Sequence, residues 1–160
     1  MTSIRGLLIS HMIWKNMNHN APHKKHSAAR HRWQNAIFNK DRLPEAYTWS
    51  AETTPGGTAF QRVIRTDTGR TGRVLLYFHG GAYRDGLVPS YRNFSTGFFQ
   101  AANGCETIYL DYRCAPDYQY PTQLNEALDL WDDLIKRQGY APDQIILGGD
   151  SAGANLALAL

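Results

Sequence analysis

Cysteine, early acidic residues and long apolar runs are all scarce in this chain. Two cysteines, Cys105 and Cys114, cannot build a disulfide framework, so the small cross-linked secreted scaffolds are excluded. Nothing around them has metal-ligand spacing, which argues against zinc. No apolar run reaches the ~18–20 residues that a membrane-spanning helix needs. Neither a Gly-Lys-Ser/Thr phosphate loop nor a G-x-G-x-x-G fingerprint is present. Residues 1–42 carry a single acidic residue, Asp41, against eight Lys/Arg. Residues 43–160 carry nine Lys/Arg and thirteen Asp/Glu, so the net charge of +3 is a property of the N-terminal segment.

What is present has the make-up of one globular domain. The chain has 160 residues, 42% hydrophobic and 19% charged, too apolar for a disordered polypeptide. Residues 1–42 read as a helical segment, with helices over 3–17 and 27–40. Its basic residues and five of the six histidines (His11, His19, His23, His26, His31) suit a solvated helical surface, or else a lipid- or nucleic-acid-binding arm. No nucleic-acid partner is expected. No secretory signal is legible, free thiols suit a reducing compartment, and a cytoplasmic location is expected, with mitochondrial targeting open.

From Pro44 onward the periodicity changes. Ala46–Ser50 and Phe60–Arg65 read as a hairpin around Pro55-Gly56-Gly57. Val74–Phe78, Glu106–Leu110 and Gln144–Leu147 read as buried strands. A helix is predicted over 91–103, capped by Ser90, with Tyr91, Phe94 and Phe98 inward and Gly104 ending it. Another spans 122–138, with Leu124, Leu128, Trp131 and Ile135 as its apolar stripe. A last helix begins at Ala152. Strands alternating with helices imply an α/β fold with a mostly parallel sheet and helices on both faces.

Two segments carry chemistry. Gly149-Asp150-Ser151-Ala152-Gly153 is G-x-S-x-G between an apolar strand and an apolar helix. A serine on such a sharp turn is held in strained backbone with its hydroxyl exposed at a helix N-terminus. A phosphate-binding turn is the alternative reading. His79-Gly80-Gly81-Ala82-Tyr83 follows directly on a strand. The amides of Gly80 and Gly81, with that of Ala152, would make a three-donor oxyanion hole. His79 is expected to shape the loop rather than act as base. Tyr83 and Tyr91 would either line an acyl pocket or pack in the core.

A third segment, Asp111-Tyr112-Arg113-Cys114-Ala115-Pro116-Asp117-Tyr118-Gln119-Tyr120-Pro121, makes the pattern specific. In this order the three segments resemble the α/β-hydrolase fold-3 family, the hormone-sensitive-lipase-like esterases and lipases. Asp117 and Tyr120 stand where that pattern has Glu and Phe, and Ala82 replaces a third glycine. Arg113 is expected to form a polar network with Asp117. The resemblance covers roughly residues 46–160, and it makes 1–42 a cap-like segment and 43–160 the N-terminal part of the hydrolase domain. It implies a small-molecule ester substrate, no metal or cofactor, and an acyl-enzyme on Ser151. It also implies an Asp/Glu and a His after the nucleophile. Nine residues follow Ser151, none of them His, Asp or Glu. The expectation is therefore a part of an esterase, truncated after the elbow and inactive by itself. A non-catalytic binding module derived from an esterase is the alternative.

Overall fold

A computed structural model describes residues 43–102 and 104–160. The expected helical segment 1–42 and its boundary with the hydrolase domain lie outside the described residues.

The first two strands form a hairpin. Strand β1 (Tyr47–Thr53) pairs antiparallel with β2 (Ala59–Arg65), from Tyr47 opposite Arg65 to Thr53 opposite Ala59. The turn closes through the Thr54 N–H on the Thr58 carbonyl at 2.9 Å. Strands β3 (Val74–Phe78), β4 (Glu106–Leu110) and β5 (Ile145–Gly149) follow. The sheet order is β1-β2-β4-β3-β5. Strands β4, β3 and β5 are parallel, and β2 joins β4 antiparallel. The expected parallel sheet is thus the β4-β3-β5 portion, extended by an antiparallel hairpin.

Successive side chains on a strand face opposite ways, so each buried strand serves two layers. Val74, Leu76, Phe78, Ile108 and Leu110 have no exposed surface and share a core with Leu130, Leu134 and Leu156 from two helices. These helices are α2 (Thr122–Lys136) and α3 (Ala152–Ala159). On the alternate positions, the Tyr77 ring packs on Phe98 at 5.4 Å, and Tyr109 hydrogen-bonds Ser95 at 3.0 Å. Phe98 and Ser95 belong to helix α1 (Ser95–Ala101).

Two helix readings are corrected. The segment expected as one helix over 91–103 is a 3-10 turn, Pro89–Phe94, followed by α1. Pro89 opens the tight turn with its fixed φ, so Ser90 caps nothing, and Phe94 is left 52% exposed. The ending at Gly104 holds, its N–H bonding the Phe99 carbonyl at 2.7 Å. Helix α2 packs Leu124, Trp131 and Ile135 of the expected stripe against the core, but it is turned so that they are only half-buried. Leu128 is 45% exposed, and the buried face carries Ala127, Leu130 and Leu134 with Gln123, Glu126 and Asp133. The polar members are tolerated there because they are hydrogen-bonded. Gln123 Nε2 donates to the Arg113 carbonyl at 2.7 Å, and Gln138 Nε2 donates to Asp133 at 2.7 Å.

At the N-terminal end of β4, Arg62 and Glu106 form a buried ion pair, which Tyr140 completes by donating to the Glu106 carboxylate. The opposite, C-terminal ends of β3 and β5 carry the two chemical segments. Open α/β sheets place their ligand sites at that end.

Because α2 turns Leu130 inward and Leu128 outward, the two leucines should differ sharply. Leu130→Ala is expected to cost about 2–5 kcal/mol of stability. Leu128→Ala should stay within about 0.5 kcal/mol. Urea denaturation midpoints of the two variants check this, and equal losses would contradict the rotation.

Candidate active site

Strand β5 ends at Gly149, and helix α3 starts three residues later. Between them Ser151 has φ +51° and ψ −117°. That is left-handed backbone, which a non-glycine residue occupies at a cost of about 1–3 kcal/mol. The conformation persists because its surroundings over-determine it. The Asp150 N–H reaches the Phe78 carbonyl at 3.3 Å, and the Gly153 N–H reaches the Asp150 carbonyl at 2.8 Å. Gly153 lies so close to the Phe78 and His79 carbonyls that a Cβ there would overlap them. The Ser151 hydroxyl is exposed and caps no helix amide. Among the described residues it has no hydrogen-bond partner.

The loop after β3 turns through three consecutive residues of positive φ: Gly81 at +123°, Ala82 at +53° and Tyr83 at +58°. The Gly81 carbonyl accepts from the amides of Arg84 and Asp85 at 2.9 and 3.0 Å. The amides of Gly81, Ala82 and Ala152 have no partner among the described residues.

Gly80 departs from expectation. It is buried, and its N–H already donates to Asp150 Oδ1 at 2.9 Å, with the Tyr91 hydroxyl oxygen at 3.0 Å. An amide committed in this way is not available to an oxyanion, so the donor assignment to Gly80 is corrected. The amide of Ala82, next along the loop after Gly81, has no partner among the described residues.

His79 is fully buried, with its ring stacked on Tyr112 at 4.0 Å and 4°. Its Nδ1–H donates to the Gly80 carbonyl at 2.7 Å, and burial pushes its pKa below the usual imidazole value. Nε2 is buried without a partner. This is a neutral ring tied to the loop backbone. The third segment braces the same loop. The Tyr112 hydroxyl donates to the His79 carbonyl at 2.7 Å, and the Ala115 N–H donates to the Tyr83 carbonyl at 2.7 Å. Arg113 pairs with Glu126 and lies over the Tyr118 ring at 4.5 Å; the expected partner Asp117 is not engaged. Glu126 wins because α2 presents it to the Arg113 backbone as well, accepting that N–H at 2.9 Å.

Residues 75–160 match the family described as alpha/beta hydrolase fold. The chain belongs to the α/β-hydrolase fold family. Its hormone-sensitive-lipase-like character appears in a crystal structure of an esterase from the bacterial hormone-sensitive lipase family. That structure is 27% identical with a TM-score of 0.68, covering 95% of this chain and 49% of its own. An acetyl-hydrolase of Streptomyces hygroscopicus is 41% identical over 88 residues, 55% of this chain and 29% of that protein. An ethyl acetate hydrolase of Pseudomonas putida is 34% identical over 117 residues, 69% of this chain and 36% of that protein. The chain spans about half the length of the solved relative and about a third of these curated relatives.

In this hydrolase-fold chain the residue before Ser151 is the one that spacing did not disclose. Asp150 accepts from Gly80, from the Tyr91 hydroxyl at 3.0 Å and from the Tyr77 hydroxyl at 3.3 Å. Asn155, one helical turn beyond Ser151, accepts from the Tyr83 hydroxyl at 2.9 Å. The only hint in the sequence was a carboxylate inside a glycine-flanked turn. Tyr83 and Tyr91, read as pocket or core residues, are first of all hydrogen-bond donors to the elbow. Tyr83 also borders a hollow of about 310 Å³ lined by Tyr118, Leu124, Asn155 and Leu156.

Burial first, and then the neighbouring Asp150 charge, push the phenols of Tyr77 and Tyr91 up to about 12. Unfolded tyrosine ionises near ~10. The unfolded chain therefore loses these protons first. Their contribution to stability is whole below about pH 10 and is lost as pH rises through about 12. Tyr91→Phe should flatten this alkaline fall in urea midpoints measured between about pH 9 and 12. An unchanged slope would contradict the assignment.

Proposed function

We propose that the protein carrying this chain is a serine carboxylic-ester hydrolase that works through an acyl-enzyme on Ser151. One observation carries the reading: an exposed serine on a strained strand-to-helix turn, together with the amides of Gly81, Ala82 and Ala152, which have no partner among the described residues. In this reaction Ser151 Oγ attacks the ester carbonyl and gives up its proton as the C–O bond forms. The carbonyl oxygen becomes an oxyanion held by the N–H groups of Gly81, Ala82 and Ala152. Each such donor is worth about 10²–10³ in rate. Collapse of the tetrahedral intermediate expels the alcohol, which takes up a proton, and water then releases the acid.

The proton needs a positioned base, and His79 does not fit that role. Its Nδ1–H is committed to Gly80, its ring is buried and neutral, and it shapes the loop. No other histidine stands among the described residues. The family order places the acid and the base after the nucleophile, and no His, Asp or Glu follows Ser151 in this sequence. A polypeptide of these 160 residues is therefore expected to turn over activated esters only near the background rate. Relatives named acetyl-hydrolase and ethyl acetate hydrolase support a small ester as substrate. The hollow beside Tyr83 suits a small apolar substituent.

The second reading, a binding module without turnover, is favoured by the committed state of His79. A fluorophosphonate applied to the whole protein that carries this chain, followed by peptide mapping, separates the two. The hydrolase reading expects a covalent label on Ser151 that Ser151→Ala abolishes. Reversible ester binding with no label supports the binding module, and a label on another residue sinks the elbow assignment.

A further inference from the structure

The loop that would hold the oxyanion is tied at both ends to residues flanking the nucleophile. At one end the Gly80 N–H sits on Asp150 Oδ1 at 2.9 Å, and the Tyr91 hydroxyl joins the same carboxylate at 3.0 and 3.2 Å. At the other end the Tyr83 hydroxyl donates to Asn155 Oδ1 at 2.9 Å. Between these ties stand Gly81 and Ala82, whose amides have no partner among the described residues. We propose that Asp150 and Asn155 are positioning residues that clamp the two ends of the loop and so fix the Gly81 and Ala82 amides against Ser151. This rests on the ester-hydrolase reading above.

The need for a clamp follows from the backbone. Three successive positive-φ residues, two of them with side chains and one of them a tyrosine, form an unfavourable run. A loop in that conformation relaxes unless its ends are held. Gly81 resists substitution as well, because a Cβ on it would come within 2.9 Å of Asp85 Cβ and of the Asp85 carbonyl. Oxyanion donors act only at ~2.7–3.1 Å, so a small drift of the loop is costly. A misplacement of about 1 Å can lower a rate about 10²-fold. Both anchors also lie on the turn that sets Ser151. The Asn155 N–H bonds the Ser151 carbonyl at 3.3 Å, and the Asp150 carbonyl receives the Gly153 amide. Nucleophile and donors therefore share one frame, and a shift of the elbow carries the loop with it.

The test uses the whole protein that carries this chain, with its general base, and a fluorophosphonate at saturating concentrations, which separates the maximal rate of Ser151 phosphonylation from the reversible binding constant. Tyr83→Phe removes one oxygen and one tie, and Asp150→Ala removes the other tie. Tyr83→Phe should lower the maximal rate about threefold to tenfold. Asp150→Ala should lower it about tenfold or more. Binding of the probe should change less than about twofold in Asp150→Ala, whose carboxylate faces Gly80 and two tyrosine hydroxyls; Tyr83 borders the hollow, so for Tyr83→Phe the saturated rate alone decides. Asn155→Asp and Asp150→Asn keep an acceptor oxygen and should stay within about threefold of the parent rate. A residue that only supported folding would move the denaturation midpoint and leave the saturated rate alone. If Asp150→Ala fails to fold, Tyr83→Phe and Tyr91→Phe decide the matter, each deleting one oxygen. Folded variants with unchanged maximal rates, or acceptor-keeping variants as slow as the deletions, overturn the clamp. A parent chain that takes no label on Ser151 overturns the hydrolase reading, and the clamp falls with it.

Discussion

Helix α3 approaches the end of strand β3 so closely at Gly153 that any side chain there would overlap the carbonyls of Phe78 and His79. That contact places the rest of the site. It brings the turn carrying Ser151 beside the turn carrying Gly81, although about seventy residues separate them in sequence. The parallel register, Phe78 opposite Gly149, sets both turns at one level of the sheet. Gly149 also meets Gly153 closely, at 2.5 Å from a would-be Cβ, so the turn can double back on itself. The strained φ of Ser151 is the consequence.

Electrostatics reinforce the contact without a cation. The described partners of the Asp150 carboxylate are the Gly80 amide and two tyrosine hydroxyls, all neutral donors. Such hydrogen bonds to an ionised acceptor are stronger than neutral ones and fix direction as well as distance. They hold the Asp150 carboxylate beside Ser151 without a salt bridge among the described residues. The opposite end of the sheet is built differently. There Arg62 and Glu106 are paired in the interior, a design that specifies packing and leaves no open donor.

Much of this arrangement was legible in the sequence, and what escaped did so for definite reasons. Strand β3 was read at its observed bounds because five apolar residues flanked by turn signals admit few alternatives. The elbow was legible because glycines bracketed Ser151 between an apolar strand and an apolar helix. On α2, Leu124, Trp131 and Ile135 were read correctly as core-facing, and Leu128 was misread because hydropathy treats it as core and Glu126 as surface. Tertiary partners reverse both, since Glu126 holds the Arg113 backbone and side chain. The first helix was misread because Pro89 tightens its first turn into a 3-10 segment. Gly80 was misassigned because a glycine's letter does not reveal whether its amide is spent. Only the position of the Asp150 carboxylate shows that.

The central claim is that Ser151 attacks while the Gly81, Ala82 and Ala152 amides hold the developing charge. A crystal structure of the chain after phosphonylation at Ser151 addresses it most directly, because the phosphonyl oxygen occupies the oxyanion position. The account predicts that oxygen within about 2.7–3.1 Å of those three amides, with Gly80 still bound to Asp150. An oxygen seated on the Gly80 amide, or turned to solvent away from the loop, would contradict it.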